Sequence, residues 1–369
     1  MKTFILISPK NRSAYNFRGD LIKEIIERGY RVIVTGPDQM GVDRIISLGA
    51  KFVEVPMNKN GINPVSDLKY LWKLYRLCRR EQPAATLGYT IKPYLYGSLA
   101  ARMAGVKNVN AMVAGAGFLF TSKSLKARIL KKTISLLYKI GFAAAHHIIF
   151  QNADDLNEYC DCGMCKRAKC GVVNGSGVNM TRFAPSDYPA VPTFFMLGRF
   201  IHCKGVLDYL KAAQIVKEKY PQVHFMLLGK VEKMQDGITL EELSPYVNAG
   251  VVTIYPETDK IAEYYAKTSV FVLPTTYREG TPRVILEAMA SARAIITTFT
   301  PGCKETVQEG VNGFFVPVHD PKALAEKIIH FIDHPKDVEK MGAASLELCK
   351  NKYEVSIING VMMNLMEID

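Results

Sequence analysis

The chain of 369 residues is 48% hydrophobic and 22% charged, and its formal net charge is +12. A chain of this length suits two domains that each bury a core of their own. Its longest apolar runs fall short of the ~20 residues of a membrane-spanning helix, and the apolar run in the N-terminal "MKTFILISPKNR" is shorter than that of a signal peptide. We therefore exclude an integral membrane protein and expect a globular protein that stays in the cytoplasm.

Short β-rich runs alternate with helical runs along the first half of the chain, as in the βαβ units of a parallel sheet. In order, the runs are "FILIS", "DLIKEIIERG", "RVIVTG", "GVDRIISLG" and "KFVEV". The segment after the first strand, "SPKNRSAYNFRGD", is predicted to be a loop. It lacks the G-x-G-x-x-G fingerprint, which argues against a dinucleotide-dependent dehydrogenase.

Positive charge is concentrated in the first half. Residues 1–184 hold 28 Lys and Arg against 12 Asp and Glu. Within this half, residues 82–153 hold nine bases and no acid. Such a field attracts phospholipid head groups or nucleic acid. In "TSKSLKARILKKTISLLYKIGF" (121–142) bases interleave with apolar residues at roughly helical spacing. We expect this helix to dock on an anionic membrane through Lys123, Lys126, Lys131 and Lys132; the alternative is a helix packed on its own sheet with a solvated basic face.

Four cysteines lie close together in "YCDCGMCKRAKC", at positions 160, 162, 165 and 170. One interpretation is a zinc or iron–sulfur site. The other is that Cys160 and Cys170 are buried small hydrophobic residues on the flanking helix and strand, while Cys162 and Cys165 are reduced loop thiols. No second C-x-x-C or His pair follows at a longer spacing, so we favour the second interpretation and expect no metal.

The second half repeats the alternation and predicts a second doubly wound domain. Its runs are "FFMLG" (194–198), "GVLDYLKAAQIVKEKY" (205–220), "HFMLLG" (224–229), "VVTIY" (251–255), "KIAEYYAKT" (260–268), "VFVLPT" (270–275) and "RVILEAMASA" (283–292). The linker composition of residues 174–192 separates the halves. We predict domains at 1–184 and 185–350, followed by a C-terminal helix within 351–369 that can cross back to the first domain.

Charged residues follow two strands of the second domain, at the sheet edge where open α/β sheets bind ligands. Arg199 and Lys204 flank a helix start, where cations are unfavourable unless an anion such as a diphosphate lies between them; the alternative is two solvated bases. Glu279 suits sugar hydroxyls, and the backbone N–H groups of Gly280 and Thr281 are expected to donate to the same ligand. Glu287 follows among apolar residues; a ribose diol would suit it, and the alternative is an i,i+4 ion pair with Arg283.

These residues resemble the retaining GT-B glycosyltransferases of family four. The family's E-x7-E motif matches "EGTPRVILE" (279–287), its G-R-x4-K-G motif matches "GRFIHCKG" (198–205), and "NGSGVNMTRFAP" resembles its interdomain segment. The segments "AYNFRGDLIKEI", "NVNAMVAGAGF" and "EGTPRVILEAMA" look most like bacterial transferases that add an N-acetylhexosamine to undecaprenyl-diphosphate-linked sugars, in protein N-glycosylation or capsule assembly. The resemblance implies two Rossmann-like, doubly wound α/β domains facing each other across a cleft.

Carried over to this sequence, the resemblance implies a UDP-sugar donor, a lipid-linked saccharide acceptor and peripheral attachment to the inner face of the plasma membrane. It implies no metal and no further cofactor, because Arg199 and Lys204 bind the donor diphosphate. With Glu279 these are the expected catalytic residues. The remaining donor contacts are Gly280, Thr281 and Pro282 around the sugar, Glu287 at the ribose, and Tyr255, Pro256 and Glu257 at the edge of the uracil.

The acceptor side departs from the family pattern. Many relatives carry a polar or ionisable side chain where this chain has "MVAGAG" (112–117), and their glycine-rich first loop is replaced by "NRSAYNFRG". We therefore expect the donor phosphate to deprotonate the acceptor on the same face. The candidate acceptor contacts are Asn16, Arg18, Gly19, Gly115 and Gly117, although a solvated Arg18 beside a helix start is an equal alternative.

Two other functions share some of these features. A nucleotide-sugar epimerase would also use a two-domain cleft and phosphate-binding cations, but it needs acids or bases at the substrate carbon, which "MVAGAG" lacks. A nucleic-acid-binding protein would explain the basic charge but not Glu279 and Glu287, and no short nucleic-acid-binding motif is present. We therefore predict a glycosyltransferase without a nucleic-acid partner.

Overall fold

The computed structural model describes residues 1–58, 63–115, 125–232, 234 and 236–368. The chain divides into two compact units, the first formed by Met1–Gly177 with Val355–Asp369 and the second by Val178–Glu354. The sequence predicted boundaries at residues 184 and 350, whereas the structure divides the chain after residues 177 and 354.

The first unit is a parallel seven-stranded sheet in the order β3-β2-β1-β4-β5-β6-β7. Its strands are β1 (Thr3–Ile7), β2 (Arg31–Gly36), β3 (Lys51–Glu54), β4 (Ala85–Tyr89), β5 (Asn108–Val113), β6 (His147–Phe150) and β7 (Cys170–Val172). Its helices in this part of the chain are α1 (Asn11–Glu27), α2 (Val42–Ile46), α3 (Pro64–Glu81), α4 (Ile91–Met103), α5 (Leu125–Ala144) and α6 (Ala153–Asp161). The central strands are buried along their whole length, as expected of a sheet covered by helices on both faces.

The predicted loop after β1 is wrong for most of its length, because helix α1 begins at Asn11. One face of this helix is buried and holds Ala14, Arg18, Leu21 and Ile25. Their i, i+4, i+7 spacing extends the apolar face of the predicted helical run "DLIKEIIERG" towards the N-terminus. Gly19 lies inside the helix, where an added β-carbon would be 3.6 Å from the Leu48 side chain, an ordinary contact distance. The helix therefore continues through the polar segment that was assigned to the loop.

The second unit is a parallel six-stranded sheet in the order β10-β9-β8-β11-β12-β13. Its strands are β8 (Thr193–Leu197), β9 (His224–Leu228), β10 (Thr253–Tyr255), β11 (Val270–Leu273), β12 (Ala294–Thr298) and β13 (Gly313–Val316). Its helices are α7 (Val206–Lys219), α8 (Leu240–Asn248), α9 (Ile261–Ala266), α10 (Arg283–Ala290), α11 (Pro321–Asp333) and α12 (Pro335–Lys352). The two parallel, helix-covered sheets confirm the prediction of two Rossmann-like domains.

The last helix, α13 (Val355–Leu365), belongs to the first unit. Ile358, Met362 and Met363 are buried in the cluster that also holds the β1 and β2 side chains. The Asn108 side chain donates to the Met366 carbonyl over 2.6 Å. The first domain is thus completed by residues that follow the whole second domain in the chain.

Among the described helices, none combines the length and the apolar content that a bilayer-spanning segment requires.

Candidate active site

The site forms at the point of the second sheet where the strand order reverses. β8 and β11 are neighbours. The strand that follows β8 in the chain, β9, lies on one side of this pair, and the strand that follows β11, β12, lies on the other side. Ligands of open α/β sheets bind at such a switch point, beyond the carboxyl ends of the strands. The two loops that meet there are residues 198–205, after β8, and residues 274–282, after β11.

Backbone contacts fix these two loops to each other. The Cys203 carbonyl accepts hydrogen bonds from the backbone N–H groups of Thr276 at 2.8 Å and Tyr277 at 3.0 Å. Gly205, the residue before helix α7, is in the left-handed region at φ +76°, and a β-carbon there would lie 2.1 Å from the Pro274 carbonyl oxygen. Only glycine allows this approach, so the loop geometry depends on it.

Lys204 and Glu279 meet at this junction. The Lys204 Nζ contacts Glu279 Oε1, and the two side chains are only 14% and 15% exposed. The ammonium also lies 5.3 Å from the centre of the Tyr277 ring. Burial raises the pKa of Tyr277, and the Glu279 carboxylate adds to that shift, whereas Arg199 and Lys204 oppose it. The sequence placed Lys204 and Glu279 at one sheet edge, and the structure brings them into direct contact.

A second glycine, Gly302, packs against the loop that carries Glu279. Gly302 has φ +88°, and a β-carbon on it would lie 2.6 Å from the carbonyl oxygens of both Glu279 and Gly280. Gly280, Thr281 and Pro282 are buried. Pro282 is the residue before helix α10, with extended backbone. The loop therefore has little room to change its path.

Glu287 lies inside α10 and is paired within the protein. Its Oε1 accepts from Arg283 Nε at 3.1 Å, and the side chains are 8% and 10% exposed. The Tyr265 hydroxyl lies 2.8 Å from the Val284 carbonyl and 3.2 Å from Glu287 Oε2, so its one proton serves both acceptors. Burial raises the pKa of Glu287, and the Arg283 charge limits the shift. The i,i+4 ion pair considered as an alternative for Glu287 is thus present.

The remaining donor candidates lie around the same edge. Arg199 is exposed in the loop after β8. Tyr255 is half-buried, with its ring 5.0 Å from that of Tyr264, and the exposed Glu257 pairs with Lys230 at 3.0 Å. Pro256 borders a groove of about 450 Å³.

Arg18 is not the solvated arginine that the alternative interpretation expected. It is 2% exposed, its guanidinium lies 2.9 Å from the Met112 sulfur and 3.8 Å from that of Met362, and it faces the Tyr89 ring at 5.6 Å. This corrects the expectation of a loop residue open to solvent, because α1 turns Arg18 inward against residues that are distant in sequence.

The other acceptor candidates belong to helix α1 and to the segment after β5. Asn16 is half-buried on α1, whereas Gly19 is buried there. Gly115, after β5, has φ +105°. Gly117 and Lys123 lie outside the described residues. Lys126, Lys131 and Lys132 fall within helix α5, whose side chains are described only from residue 135 onward.

Three of the four neighbouring cysteines converge. The sulfurs of Cys160, Cys165 and Cys170, here called the cysteine cluster, lie within 4.8 Å of one another. All three residues are half-buried, and Cys162 is exposed. The expectation that Cys160 and Cys170 are buried is therefore wrong, although they do lie on the predicted helix and strand.

Sequence reasoning missed three residues that build the site. Tyr277 faces Lys204, Tyr265 reaches Glu287, and Gly302 supports the Glu279 loop. The Pro-Gly pair at residues 301 and 302 is a turn signal that marks the third of them. Nothing in local spacing marks the two tyrosines, because their partners come from other elements.

Comparison with known proteins covers both halves of the chain. Residues 191–334 match a family described as "Glycosyl transferases group 1", and residues 5–152 match one described as "Glycosyl transferase 4-like". Over 344 residues, 89% of each chain, the sequence is 27% identical to the N,N'-diacetylbacillosaminyl-diphospho-undecaprenol alpha-1,3-N-acetylgalactosaminyltransferase of Campylobacter jejuni.

Two further similarities extend the comparison. The chain is 26% identical over 325 residues to the UDP-Gal:alpha-D-GlcNAc-diphosphoundecaprenol alpha-1,3-galactosyltransferase of Escherichia coli, covering 83% of this chain and 79% of that one. In fold it is similar to an Anabaena protein crystallised with UDP-glucose, with a TM-score of 0.81, 16% identity and 100% of both chains covered. The likeness in fold therefore spans both units.

Proposed function

This chain belongs to the GT-B glycosyltransferases of group 1, and we propose that it transfers a hexose from a UDP-sugar to a saccharide linked to undecaprenyl diphosphate. Two similar transferases suggest these substrate classes: the Campylobacter protein acts on a diphospho-undecaprenol sugar, and the Escherichia coli protein uses UDP-Gal. We further propose that the transferred sugar is an N-acetylhexosamine such as GalNAc or GlcNAc, used in glycan, glycoprotein or capsule assembly.

The observation that carries this proposal is the contact between Lys204 and Glu279 at the switch point. A cation and a carboxylate held side by side match a ligand that carries a phosphate next to a sugar ring. Lys204, together with Arg199, would bind the diphosphate, and Glu279 would accept hydrogen bonds from the sugar hydroxyls. Because both side chains are largely enclosed, these charges act on the ligand with little screening by water.

The nucleoside end of the donor is proposed to follow the same edge. Glu287 would accept hydrogen bonds from the ribose hydroxyls beside its ion pair with Arg283. The uracil would lie at the loop of Tyr255, Pro256 and Glu257, where the groove beside Pro256 offers an apolar wall.

The chemistry is proposed to retain the configuration of the anomeric carbon. The bond from that carbon to the diphosphate oxygen breaks, and the acceptor hydroxyl bonds to the same face of the sugar. The acceptor proton passes to the leaving phosphate, so the mechanism needs no protein base. Arg199 and Lys204 would stabilise the negative charge that develops on UDP, which is the task that a divalent metal performs in other enzymes.

The acceptor is proposed to bind the first unit through Asn16, Gly19, Gly115 and Gly117. The buried Arg18 is proposed to contribute its positive charge to this end of the sheet, since it faces Tyr89, the last residue of β4. A lipid-linked substrate stays at the bilayer, so the enzyme must work at the membrane surface.

Peripheral membrane attachment is supported by helix α3 as well as by the basic sequence of α5. Val65, Leu68 and Trp72 are spaced along one face of α3 and are 66%, 66% and 52% exposed. Exposed bases adjoin this apolar face: Lys69, Lys73, Arg76, Arg79 and Arg80. A tryptophan among lysines and arginines is typical of a helix that lies in the head-group region. At ~1 kcal/mol per base, three or four bases would give reversible binding to anionic lipid.

The donor and acceptor classes are tested together by an activity screen. Purified protein is incubated with a panel of UDP-sugars, with and without a sugar linked to undecaprenyl diphosphate, and the products are identified by mass spectrometry. We expect transfer from one UDP-N-acetylhexosamine, only when the lipid-linked sugar is present. Turnover of a UDP-sugar alone would instead indicate an epimerase.

Membrane binding is tested by sedimentation with vesicles. Binding should need anionic lipid and should fall with added salt. It should also weaken in two variants. One carries Trp72→Ala, Lys69→Glu and Lys73→Glu, and the other has Lys123, Lys126, Lys131 and Lys132 changed to Glu. The control is Lys211→Glu with Lys267→Glu, which changes two exposed bases of the second unit. Equal binding to neutral vesicles, or equal loss in the control, would refute specific attachment.

A further inference from the structure

We propose that the cysteine cluster of the first unit is a binding site for one thiophilic divalent ion, of which Zn²⁺ is the expected example. Cys160, Cys165 and Cys170 supply three sulfur ligands, and water supplies the fourth. This site is separate from the donor site, which lies in the second unit, and the inference does not depend on the proposed function.

The sulfur positions match a tetrahedral metal site. Cys165 Sγ lies 3.6 Å from Cys160 Sγ and 3.6 Å from Cys170 Sγ. Two sulfurs bound to one tetrahedral Zn²⁺ at about 2.3 Å would be about 3.8 Å apart. A disulfide would require about 2.05 Å, so the three sulfurs are grouped but not bonded. One ion can therefore reach all three after small side-chain movements.

Three different elements bring the sulfurs together. Cys160 lies in the last turn of α6, Cys165 in the following loop, and Cys170 begins strand β7. Gly163, with φ +62°, lets the chain turn at the helix end, and its N–H donates to the Cys160 carbonyl over 2.8 Å. The Met164 side chain between them is buried. The backbone thus fixes the three ligands before any ion binds, which lowers the entropy lost on binding.

The charges around the cluster suit thiolate ligands. Lys166 and Arg167 are exposed beside it, and Lys169 is half-buried. Three thiolates and a divalent ion carry a net charge of −1, which these bases stabilise. Asp161, which follows Cys160 in the chain, pairs with Arg167 at 3.9 Å.

The cluster also differs from the other cysteines of the described chain. Cys78, Cys303 and Cys349 are buried singly among apolar residues, as expected of cysteines that only fill space. The three clustered residues are half-buried and face one another. An ion there would fasten the end of α6 to β7, a three-residue strand that pairs with β6 at the edge of the sheet, as far as the residues are described.

The test is metal binding by the full-length, reduced and chelator-treated protein. Titration with Co²⁺ under exclusion of oxygen should give one equivalent of binding, with thiolate-to-cobalt charge-transfer absorption and the visible bands of a tetrahedral site. Zn²⁺ should displace the cobalt and raise the thermal unfolding temperature. These readouts do not depend on transferase activity, so they stay valid if the proposed function fails.

Two ligand variants and one matched control make the assignment specific. Cys165→Ser and Cys170→Ser should each weaken metal binding by at least about a hundredfold, with circular dichroism showing that each variant folds. Cys162→Ser, in the same loop but exposed, should bind as the wild type does. The site would be refuted by the absence of thiolate-to-cobalt absorption, by a disulfide within the cluster of the reduced protein, or by equal loss of binding in Cys162→Ser.

Discussion

Replacing Glu279 by alanine tests the contact on which the donor site depends. We expect transfer to fall while the protein stays folded. The carboxylate is held against Lys204 with 15% of its side chain exposed, in a loop fixed by Gly302. A hydrogen-bond acceptor placed so rigidly has its full effect in the transition state, because no energy is spent on orienting it during the reaction.

The magnitude follows from what the substitution removes. Losing one charge-assisted hydrogen bond to the reacting sugar should cost about 2–4 kcal/mol in the transition state, or roughly 30- to 1000-fold in rate. Stability should change less, because the Lys204 ammonium keeps its contact with the Tyr277 ring. We expect the free energy of unfolding to fall by about 1–3 kcal/mol, which a domain of ordinary stability tolerates.

The assay compares initial rates of sugar transfer and urea unfolding for the wild type, Glu279→Ala and Glu279→Gln. The glutamine keeps the shape and one acceptor oxygen but not the charge, so its rate should lie between the other two. The control is Glu263→Ala, which removes a carboxylate that is 59% exposed and whose ion-pair partner, Lys260 at 3.7 Å, is itself exposed. That substitution should leave both rate and stability nearly unchanged.

A folded Glu279→Ala protein with the wild-type rate would refute the reasoning. So would a loss of rate in Glu263→Ala equal to that in Glu279→Ala, since the effect would then not be specific to the site.

Three further predictions concern Glu287, Gly205 and the chemistry of the transfer reaction. Burial raises the pKa of Glu287 above its ordinary 4.5, so the protonated side chain stabilises the fold below pH 4.5, and this stabilisation is lost as pH rises through the raised pKa. Glu287→Gln should lack this pH dependence. In urea unfolding from pH 4.5 to 7, the free energy of unfolding of the wild type should therefore fall relative to that of the variant. Gly205→Ala should destabilise the protein by about 2–4 kcal/mol through its clash with Pro274, whereas Gly250→Ala, at φ +67° with no atom within 4 Å of the added carbon, should cost only about 1 kcal/mol of backbone strain. The product should keep the donor's anomeric configuration by NMR, and transfer should persist in excess EDTA.

Each of these has a result that contradicts it. The first is contradicted if the stability difference between Glu287→Gln and the wild type does not change with pH. The second is contradicted by equal destabilisation in Gly205→Ala and Gly250→Ala. The third is contradicted by a product of inverted anomeric configuration or by complete loss of activity with EDTA.

The sequence predicted the sheets well because alternating apolar runs determine which segments are buried. It failed at α1, where Asn16, Arg18 and Gly19 resemble loop residues. Arg18 is buried against Met112, Met362 and the Tyr89 ring, and these residues lie far away along the chain. Local sequence patterns do not indicate contacts between residues that are distant in sequence, so the helix and its inward-facing arginine could not be predicted.

The site shows the same division between local and distant information. Motif spacing placed Lys204 and Glu279 on one edge of the sheet, but their direct contact depends on how two loops fold together. The ion pair of Glu287 with Arg283 was accessible from i,i+4 spacing, whereas its contact with Tyr265 was not. For the cysteines, spacing alone favoured separate thiols, and the convergence of Cys160, Cys165 and Cys170 appears only once α6 and β7 are paired in space.

The return of α13 to the first unit bears on how the chain folds as it is made. Residues 1–177 leave the ribosome long before Val355–Leu365, which must wait for the entire second unit. Until then the nascent first domain lacks the helix that covers part of its core, and an apolar surface that receives Ile358, Met362 and Met363 stays uncovered. The second domain, continuous in sequence, can fold first. A chain that stops before residue 355 would therefore expose a hydrophobic surface of the kind that chaperones and proteases recognise.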